Sequence, residues 1–297
     1  MHSVQVKPSD GIGTNMIVSF HPLYEGDKNI LCAGRDPGER ERTAMRSARA
    51  VILPQGCRKS LYRMARATCP LVFPNYDKRF EYPDKIGQAL LFRKYEAIHP
   101  ETETFGSVAD FRETYASYRE FEKKRYPLVF KFDWGGEGHN VFLIKDAREL
   151  QQMMSRAASY EKTGQYGFLL QEFIPSRGRS LRVVVIDTLT KTYWRRHGNP
   201  DAFYTNLSKG AVLETDSAPL LQEAGKKAVI AFSQRTGIDL AGFDLLFSEK
   251  SLARGLIEPL FLEINYFFGR KGLGGSDAYY KLLQREIDRW IDVHVRR

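Results

Sequence analysis

Two stretches of the chain carry carboxylate and amide groups where apolar residues are expected. Ala241-Gly-Phe-Asp-Leu-Leu-Phe247 and Pro259-Leu-Phe-Leu-Glu-Ile-Asn265 both read as buried strands, the first interrupted by Asp244 and the second by Glu263 and Asn265. Side chains alternate along a strand, so Glu263 and Asn265 share one face about 7 Å apart. Phe261 is expected on that same face, with Leu262 and Ile264 turned the other way into packing. Oxygen ligands side by side suit a hard divalent cation, and Mg²⁺ commonly shares such ligands with substrate phosphates. Asp244, Glu263 and Asn265 are therefore candidate metal ligands beside a nucleotide. One polar residue at a strand end would carry no such meaning; three converging on one hairpin do.

Further along, Lys131 lies near the end of the apolar run Leu128–Phe132 and is followed by Trp134-Gly-Gly-Glu-Gly138. Glycines let main-chain N–H groups approach phosphate oxygens, and a lysine adds a point charge. Lys131, Gly135, Gly136 and Gly138 can thus cover a triphosphate. A strand follows rather than a helix, which excludes both the phosphate loop of G-x-x-x-x-G-K-S/T type and the dinucleotide fingerprint. An ordinary glycine-bearing hairpin is the competing reading. Gln171-Glu172-Phe173-Ile174 ends another apolar strand. There main-chain groups can meet an adenine, Phe173 and Ile174 can give apolar contact, and a carboxylate can accept from ribose hydroxyls. A core strand with one exposed glutamate explains the same residues.

Arg182 interrupts the apolar run Leu181–Ile186, and a charge inside such a strand must be paired or face a cleft. Arg195 and Arg196 end the next strand, and planar guanidinium groups suit phosphate and carboxylate. The loop Tyr204-Thr-Asn-Leu-Ser-Lys-Gly210 offers Asn206 and Lys209 to a phosphate or a metal shell, although most loops of this composition do no chemistry. None of the six histidines has metal-ligand spacing, and no G-x-S-x-G nucleophile motif is present.

The elements that must position these residues follow from periodicity. Residues 1–83 alternate short strands (Met16–Phe20, Ala50–Leu53, Leu71–Phe73) with helical stretches (Gly38–Arg49, Arg58–Ala67), which predicts a small α/β domain. Residues 84–126 read as helical, with Asp84 as N-cap of Lys85–Ala97 and a second helix from Ser107 carrying Val108, Phe111, Tyr115 and Tyr118 on one face. Strands then return from Leu128. Asp146 opens a helix, Leu181–Ile186 and Thr192–Arg195 form a hairpin, and a helix over Leu220–Thr236 stops at Gly237. Ser276 opens a last amphipathic helix. The expected division is 1–83, 84–175 and 176–297.

A length of 297 residues predicts about two domains. No apolar run approaches the roughly 18 residues of a membrane helix, and no secretory pattern is visible at the N-terminus, so no membrane partner and a cytoplasmic location are expected. Cys32, Cys57 and Cys69 form neither a disulfide framework nor a zinc pattern. The net charge of +9 favours anionic partners. It is scattered, and without a basic helix or an aromatic-basic repeat it does not point to nucleic acid.

The order of these features resembles the ATP-grasp superfamily, most nearly its glutathione synthetase and RimK-type glutamate ligase branch, over about residues 84–275. The resemblance implies an α/β (α+β) protein of ATP-grasp fold, in which a small N-terminal α/β domain precedes two α+β subdomains that clasp ATP between them. It implies that Lys85 and Lys131 hold phosphates and that Gln171 to Ile174 form the adenine–ribose hinge. Arg182 matches the family's D-I-R arginine, and Arg195 or Arg196, then Asn206, fall among phosphate and metal-shell residues. Asp244, Glu263 and Asn265 match ligands of two Mg²⁺ ions, with Mn²⁺ able to substitute. The implied reaction joins a small-molecule or peptide carboxylate to an amine. ATP phosphorylates the carboxylate, the amine displaces phosphate, and Arg182 stabilises the tetrahedral oxyanion. A small-molecule kinase and a non-catalytic nucleotide-binding protein are the alternatives, and homo-oligomers are compatible with either. Two departures stand out: Tyr204 replaces an arginine of related ligases, and Tyr266-Phe-Phe-Gly-Arg-Lys-Gly-Leu-Gly-Gly275 replaces a short turn beside the acceptor site.

Overall fold

Strands that alternate with helices in the first part of the chain form a parallel sheet. The computed structural model describes residues 16–115, 126–135 and 140–296. Ile17–Ser19 (β1), Lys28–Asn29 (β2), Ala50–Ile52 (β3) and Leu71–Phe73 (β4) pair in the order β2-β1-β3-β4, all parallel. Glu39–Arg46 (α1) and Lys59–Thr68 (α2) connect them. In α1 the Glu41 side chain reaches back to the Gly38 N–H at 2.8 Å and pairs with Arg35 at 2.7 Å, which satisfies a helix-start donor and a buried carboxylate together. The chain divides into two compact units, Met1–Pro74 with Tyr280–Arg297, and Asn75–Tyr279.

The second unit begins with Asp77–Glu81 (α3) and Asp84–Lys94 (α4). Asp84 does not cap α4. It stands at φ 56 as the helix's first residue, and the Ile86 N–H instead donates at 2.8 Å to Oδ1 of Asp133, just past the end of a strand far along the chain. The helix stops at Lys94. The stretch expected to be helical then yields a strand, Thr102–Phe105 (β5), before Val108–Thr114 (α5). β5 forms because the edge of a later strand is there to receive it: Thr102 to Phe105 pair with Gln171 to Phe168. Tyr118 lies outside the described residues.

Leu128–Phe132 (β6), Val141–Ile144 (β7), Ala147–Glu161 (α6) and Phe168–Glu172 (β8) complete this part. The antiparallel sheet runs β5-β8-β6-β7. Period-2 alternation sorts its residues. Leu128, Phe130, Phe132, Phe168 and Leu170 join the core with Phe105, Phe111, Leu150 and Met154. Val129, Lys131, Leu169 and Gln171 take the other face. Phe168 is fully buried, with ring centroids 5.0 Å from Phe130 and 5.2 Å from Phe105, both stacked.

The remainder is a five-stranded antiparallel sheet. Arg179–Ile186 (β9), Leu189–Arg196 (β10), Val212–Glu214 (β11), Leu240–Phe247 (β12) and Pro259–Asn265 (β13) lie in the order β11-β10-β9-β12-β13. Pro219–Thr236 (α7) stops at Gly237 in the left-handed region, φ 73. It packs Gly225 against Leu181 and Leu245, where a Cβ would be crowded. Glu249–Leu252 (α8) precedes β13, and Gly275–His294 (α9) follows it. From Tyr280 onward α9 belongs to the first unit, where Trp290 meets Phe73 and Asp288 accepts from the Tyr24 hydroxyl at 2.8 Å. No described helix is long and apolar enough to cross a membrane.

Phe168→Ala removes the ring on which Phe105 and Phe130 stack. It is expected to cost about 3–5 kcal/mol, read as a fall in the urea midpoint of the second unit. An unchanged midpoint would show that this stack is not the core of the sheet.

Candidate active site

Register places one row of side chains across four strands. Tyr193 of β10 lies opposite Arg182 of β9, Arg182 opposite Asp244 of β12, and Asp244 opposite Glu263 of β13. All four project from one face. The pairing shifts between Asp244 and Leu245, so Glu263 opposes Asp244 while Phe261 opposes Leu245. The bulge at Leu262 reverses the expected alternation. Phe261 turns to the apolar face, 6.2 Å from the Phe243 ring and 5.0 Å from Phe232, whereas Leu262 looks into the cavity.

Asp244 is the centre of the row. It is 4% exposed. Arg182 Nε donates to its Oδ1 at 2.6 Å and Nη2 to its Oδ2 at 2.9 Å. Arg195 Nη2 pairs with Oδ1, and Asn265 Nδ2 donates to Oδ2 at 3.1 Å. A carboxylate offers about four lone-pair positions, so these donors fill it. Burial alone would raise the Asp244 carboxyl, but Arg182 and Arg195 outweigh burial and hold it below the usual range. Burial likewise pulls the Arg182 guanidinium down, and Asp244 more than restores it. Gly242 makes the fork possible, because a Cβ there would press on Arg182 Nη1 at 2.8 Å and Cδ at 3.1 Å.

A cavity of about 470 Å³ lies between the two sheets of this unit, within the usual range for small-molecule sites. It gathers Lys85, Lys131, Gly135, Gln171, Glu172, Phe173, Ile174, Arg195, Asn206, Asp244 and Glu263. Arg182 and Asn265 do not line it and stand behind Asp244. Gly136 and Gly138 lie outside the described residues. At the hinge the Gln171 side chain is turned away, donating to Thr102 Oγ1 at 2.8 Å. What Gln171 presents to the cavity is therefore main chain. The Lys85 ammonium donates to the carbonyls of Trp134 at 3.2 Å and Gly135 at 2.8 Å. Burial lowers its pKa against the pull of Glu263.

Lys131 is 8% exposed, and no hydrogen-bond partner for its ammonium exists among the described residues. Burial, opposed by Glu263, brings it down to about 8. The Glu263 carboxylate also has no hydrogen-bond or ion-pair partner among the described residues. With its nitrogen on Asp244, the Asn265 amide keeps Oδ1 unused, an orientation assigned from the hydrogen-bond network. A cation needing an anion and oxygen acceptors needing a cation thus share one cavity. A metal-bound polyphosphate satisfies both. Glu263 is open to Mg²⁺ from the cavity as it stands, whereas Asn265 stands behind Asp244 and Asp244 must release an arginine for either to join it. No cluster of three or more His, Cys, Asp or Glu residues able to hold a metal exists among the described residues.

Sequence reasoning missed Gly242, Tyr193 and Gln88. The last lines the cavity and bonds to the main chain of β13. Only the glycine beside Asp244 left a signal, because a strand interior rarely wants one unless something approaches closely.

The profile of the RimK-like ATP-grasp domain matches residues 88–282. The probable alpha-L-glutamate ligase of Aeromonas salmonicida is 28% identical over 162 residues, covering 53% of this chain and 50% of that protein. Human beta-citrylglutamate synthase B is 29% identical over 151 residues, covering 50% of this chain and 36% of that protein. The chain thus matches half or less of the length of these relatives. Among solved structures, a RimK domain ATP-grasp protein from Sphaerobacter thermophilus superposes with a TM-score of 0.56 at 15% identity, covering 80% of this chain and 81% of that one. D-alanine–D-alanine ligase from Bacillus anthracis gives 0.60 at 15%, covering 91% and 86%. At such identities the structural likeness is one of fold.

Asp244→Ala would leave the buried Arg182 guanidinium and the partly buried Arg195 without their carboxylate, with an expected loss of about 3–5 kcal/mol. The sign with pH follows from the depressed carboxyl. Its stabilisation is present above the unfolded value of about 4 and is lost as pH falls through the folded value. In urea unfolding, Asp244→Asn should therefore lie well below wild type at pH 7 and approach it below about pH 4. A gap that stayed constant with pH would refute the buried ion pair.

Proposed function

The chain belongs to the RimK-like ATP-grasp family, whose domain it carries over residues 88–282, and on that premise we propose that it is an ATP- and Mg²⁺-dependent carboxylate–amine ligase. One observation carries this reading. The buried Lys131 ammonium, with no anion against it among the described residues, faces the same cavity as Glu263 and Asp244. That combination suits a nucleotide polyphosphate better than either a bare anion or a bare metal.

In the proposed reaction Lys131 and Lys85 hold the phosphate chain, and the main chain of Glu172 to Ile174 receives the base. Val129, Leu143, Leu169 and Leu262 give its rings apolar walls. The substrate carboxylate attacks the γ-phosphoryl group, forming an acylphosphate and releasing ADP. The amine then adds to the acyl carbon, and phosphate leaves with its bonding pair. When bound, Mg²⁺ held by Glu263 and Asn265, with Asp244, supplies neutralisation of the β- and γ-phosphate charge. Arg195 lines the cavity, and its Nε is buried without a partner among the described residues. It is the arginine we assign to the developing oxyanion or phosphate, a role in which its guanidinium would be shared between Asp244 and that anion. Arg182, buried behind, acts through Asp244. Asn206 at the cavity wall completes the polar set. The relatives' names include glutamate ligase and citrylglutamate synthase, so an acidic amino acid is the first amine to try. A lid subdomain over 84–175, a metal-carrying subdomain over 176–297 and a separate N-terminal domain over 1–83 belong to the same proposal.

Hydroxylamine traps acylphosphates as hydroxamates. With ATP, Mg²⁺ and a panel of di- and tricarboxylates, the wild type should yield hydroxamate, and Glu263→Ala should lose at least about a hundredfold in rate while keeping its fold. A stable phosphorylated product without hydroxamate would indicate a kinase instead.

Lys131 gives a second test. Below about pH 8 it is protonated before and after nucleotide binding. Above that, binding an anion must restore the proton, so ATP affinity falls with rising pH and binding takes up as much as about one proton. Calorimetry at pH 8.5–9 in two buffers of different ionisation enthalpy measures the uptake, which Lys131→Met should largely abolish.

A further inference from the structure

The strand that carries Glu263 and Asn265 is an edge strand. In the order β11-β10-β9-β12-β13 its one strand partner among the described residues is β12, so its outer N–H and C=O groups need partners from elsewhere. Two segments supply them. The Phe261 N–H donates to the Ile98 carbonyl at 2.8 Å. At Ile264 the partner is a side chain: its N–H donates to Gln88 Oε1 at 2.8 Å, and its carbonyl accepts from Gln88 Nε2 at 2.9 Å. The primary amide of Gln88 stands in for the peptide group of a missing strand.

Ile264 lies between the two residues that matter. Its N–H belongs to the peptide plane attached to the Cα of Glu263, and its C=O to the plane attached to the Cα of Asn265. Peptide groups are rigid planes. A two-point grip on both planes therefore fixes the directions in which the Glu263 and Asn265 side chains leave the strand. It acts two residues beyond the bulge at Leu262, where pairing with β12 is irregular and the ladder alone constrains direction least.

The same helix reaches the other sheet. Lys85 precedes Gln88 by three residues on α4, which puts both on one face, and both line the cavity. Lys85 holds the carbonyls of Trp134 and Gly135, and Asp133 accepts the Ile86 N–H at the start of α4. The helix lies close over the preceding chain because Gly87 has no side chain, a Cβ there colliding with the Tyr82 main chain. One helical turn thus joins the entry of the glycine-rich loop to the strand of metal ligands.

We infer that Gln88 is a positioning residue for the divalent cation, setting Glu263 and Asn265 through the backbone of Ile264 without touching cation or substrate. The inference rests on the ligase reading only in assigning the cation to Glu263 and Asn265. The second-tier hydrogen bonds that orient metal ligands typically govern affinity by ten- to a hundredfold, and that loss is expected here.

The test measures Mn²⁺ binding to the full chain in the presence of a non-hydrolysable ATP analogue, by the electron paramagnetic resonance signal of free Mn²⁺. Affinity for the analogue without metal, and the melting temperature, are measured alongside. Gln88→Ala should weaken Mn²⁺ about ten- to a hundredfold, with metal-free analogue affinity within about twofold of wild type. Gln88→Glu keeps the acceptor for the Ile264 N–H but lacks the donor for its carbonyl, so it should fall between the two. It also serves as the test variant if the alanine form does not fold. Unchanged Mn²⁺ affinity in a folded Gln88 variant, with wild type binding normally, overturns the inference; so does equal weakening of metal-free analogue binding, which marks a structural role. If the wild type binds the analogue but no Mn²⁺, the cation assignment falls and this inference falls with it.

Discussion

The buried carboxylate of Asp244 is the constraint on which the second unit depends. It takes two donors from Arg182 on β9, one from Arg195 on β10 and one from Asn265 on β13. Four strands, β10, β9, β12 and β13, must hold their register for these bonds to exist. A slip of one residue would carry Asp244 into the layer of Phe243 and Phe232 and bring a phenylalanine into the cavity. Ion pairs so deeply buried gain little net stability over an apolar replacement, yet breaking one strands a charge in a medium that cannot solvate it. Their consequence here is uniqueness of register more than strength.

The sheet on the other side of the cavity obeys the same rule with the opposite sign. Alternation along β6 sends Phe130 and Phe132 into an aromatic core and Lys131 into the cavity. The surrounding phenylalanines exclude water from one side of the strand, and the ammonium loses hydration on the other. Its fall to about 8 follows from that burial. Lys131 on one wall and Glu263 on the other line the cavity without an ion pair between them. Charges of opposite sign left unpaired on facing walls create a local field, and a ligand carrying both signs gains from both walls. A nucleotide polyphosphate with its divalent cation is such a ligand.

Much of this was legible in the sequence because charge inside an apolar strand is rare and register is binary. Asp244, Glu263, Lys131 and Arg182 each interrupt a run of apolar residues, and each interruption lies in or beside the cavity. What escaped depends on partners distant in sequence. β5 has no alternation of its own and exists because β8 offers an edge. Asp133 caps a helix 47 residues earlier, which no local pattern announces. The bulge at Leu262 inverts the faces of Phe261 and Leu262, and nothing in Leu-Phe-Leu-Glu-Ile-Asn distinguishes a bulged strand from a regular one. Gln88 reads as an ordinary helical glutamine until β13 is known to be an edge.

The segment after Asn265, Tyr266 to Gly275, is tied into the same row. Phe268 packs edge-on against Tyr279, and the 3₁₀ turn Lys271–Leu273 lies flat on the Tyr193 ring at Gly272, where any Cβ would enter the ring. Tyr193 is the cross-strand neighbour of Arg182. The turn is therefore referenced to the charged row itself rather than to the surface, with Lys271 exposed on it. A side chain bulkier than glycine at 272 must lift the turn or displace Tyr193, and displacing Tyr193 disturbs the packing of the arginine that holds Asp244. The Tyr266 to Gly275 segment is thus coupled to the most constrained group of the second unit, and the glycine at 272 follows from the need to rest on an aromatic ring.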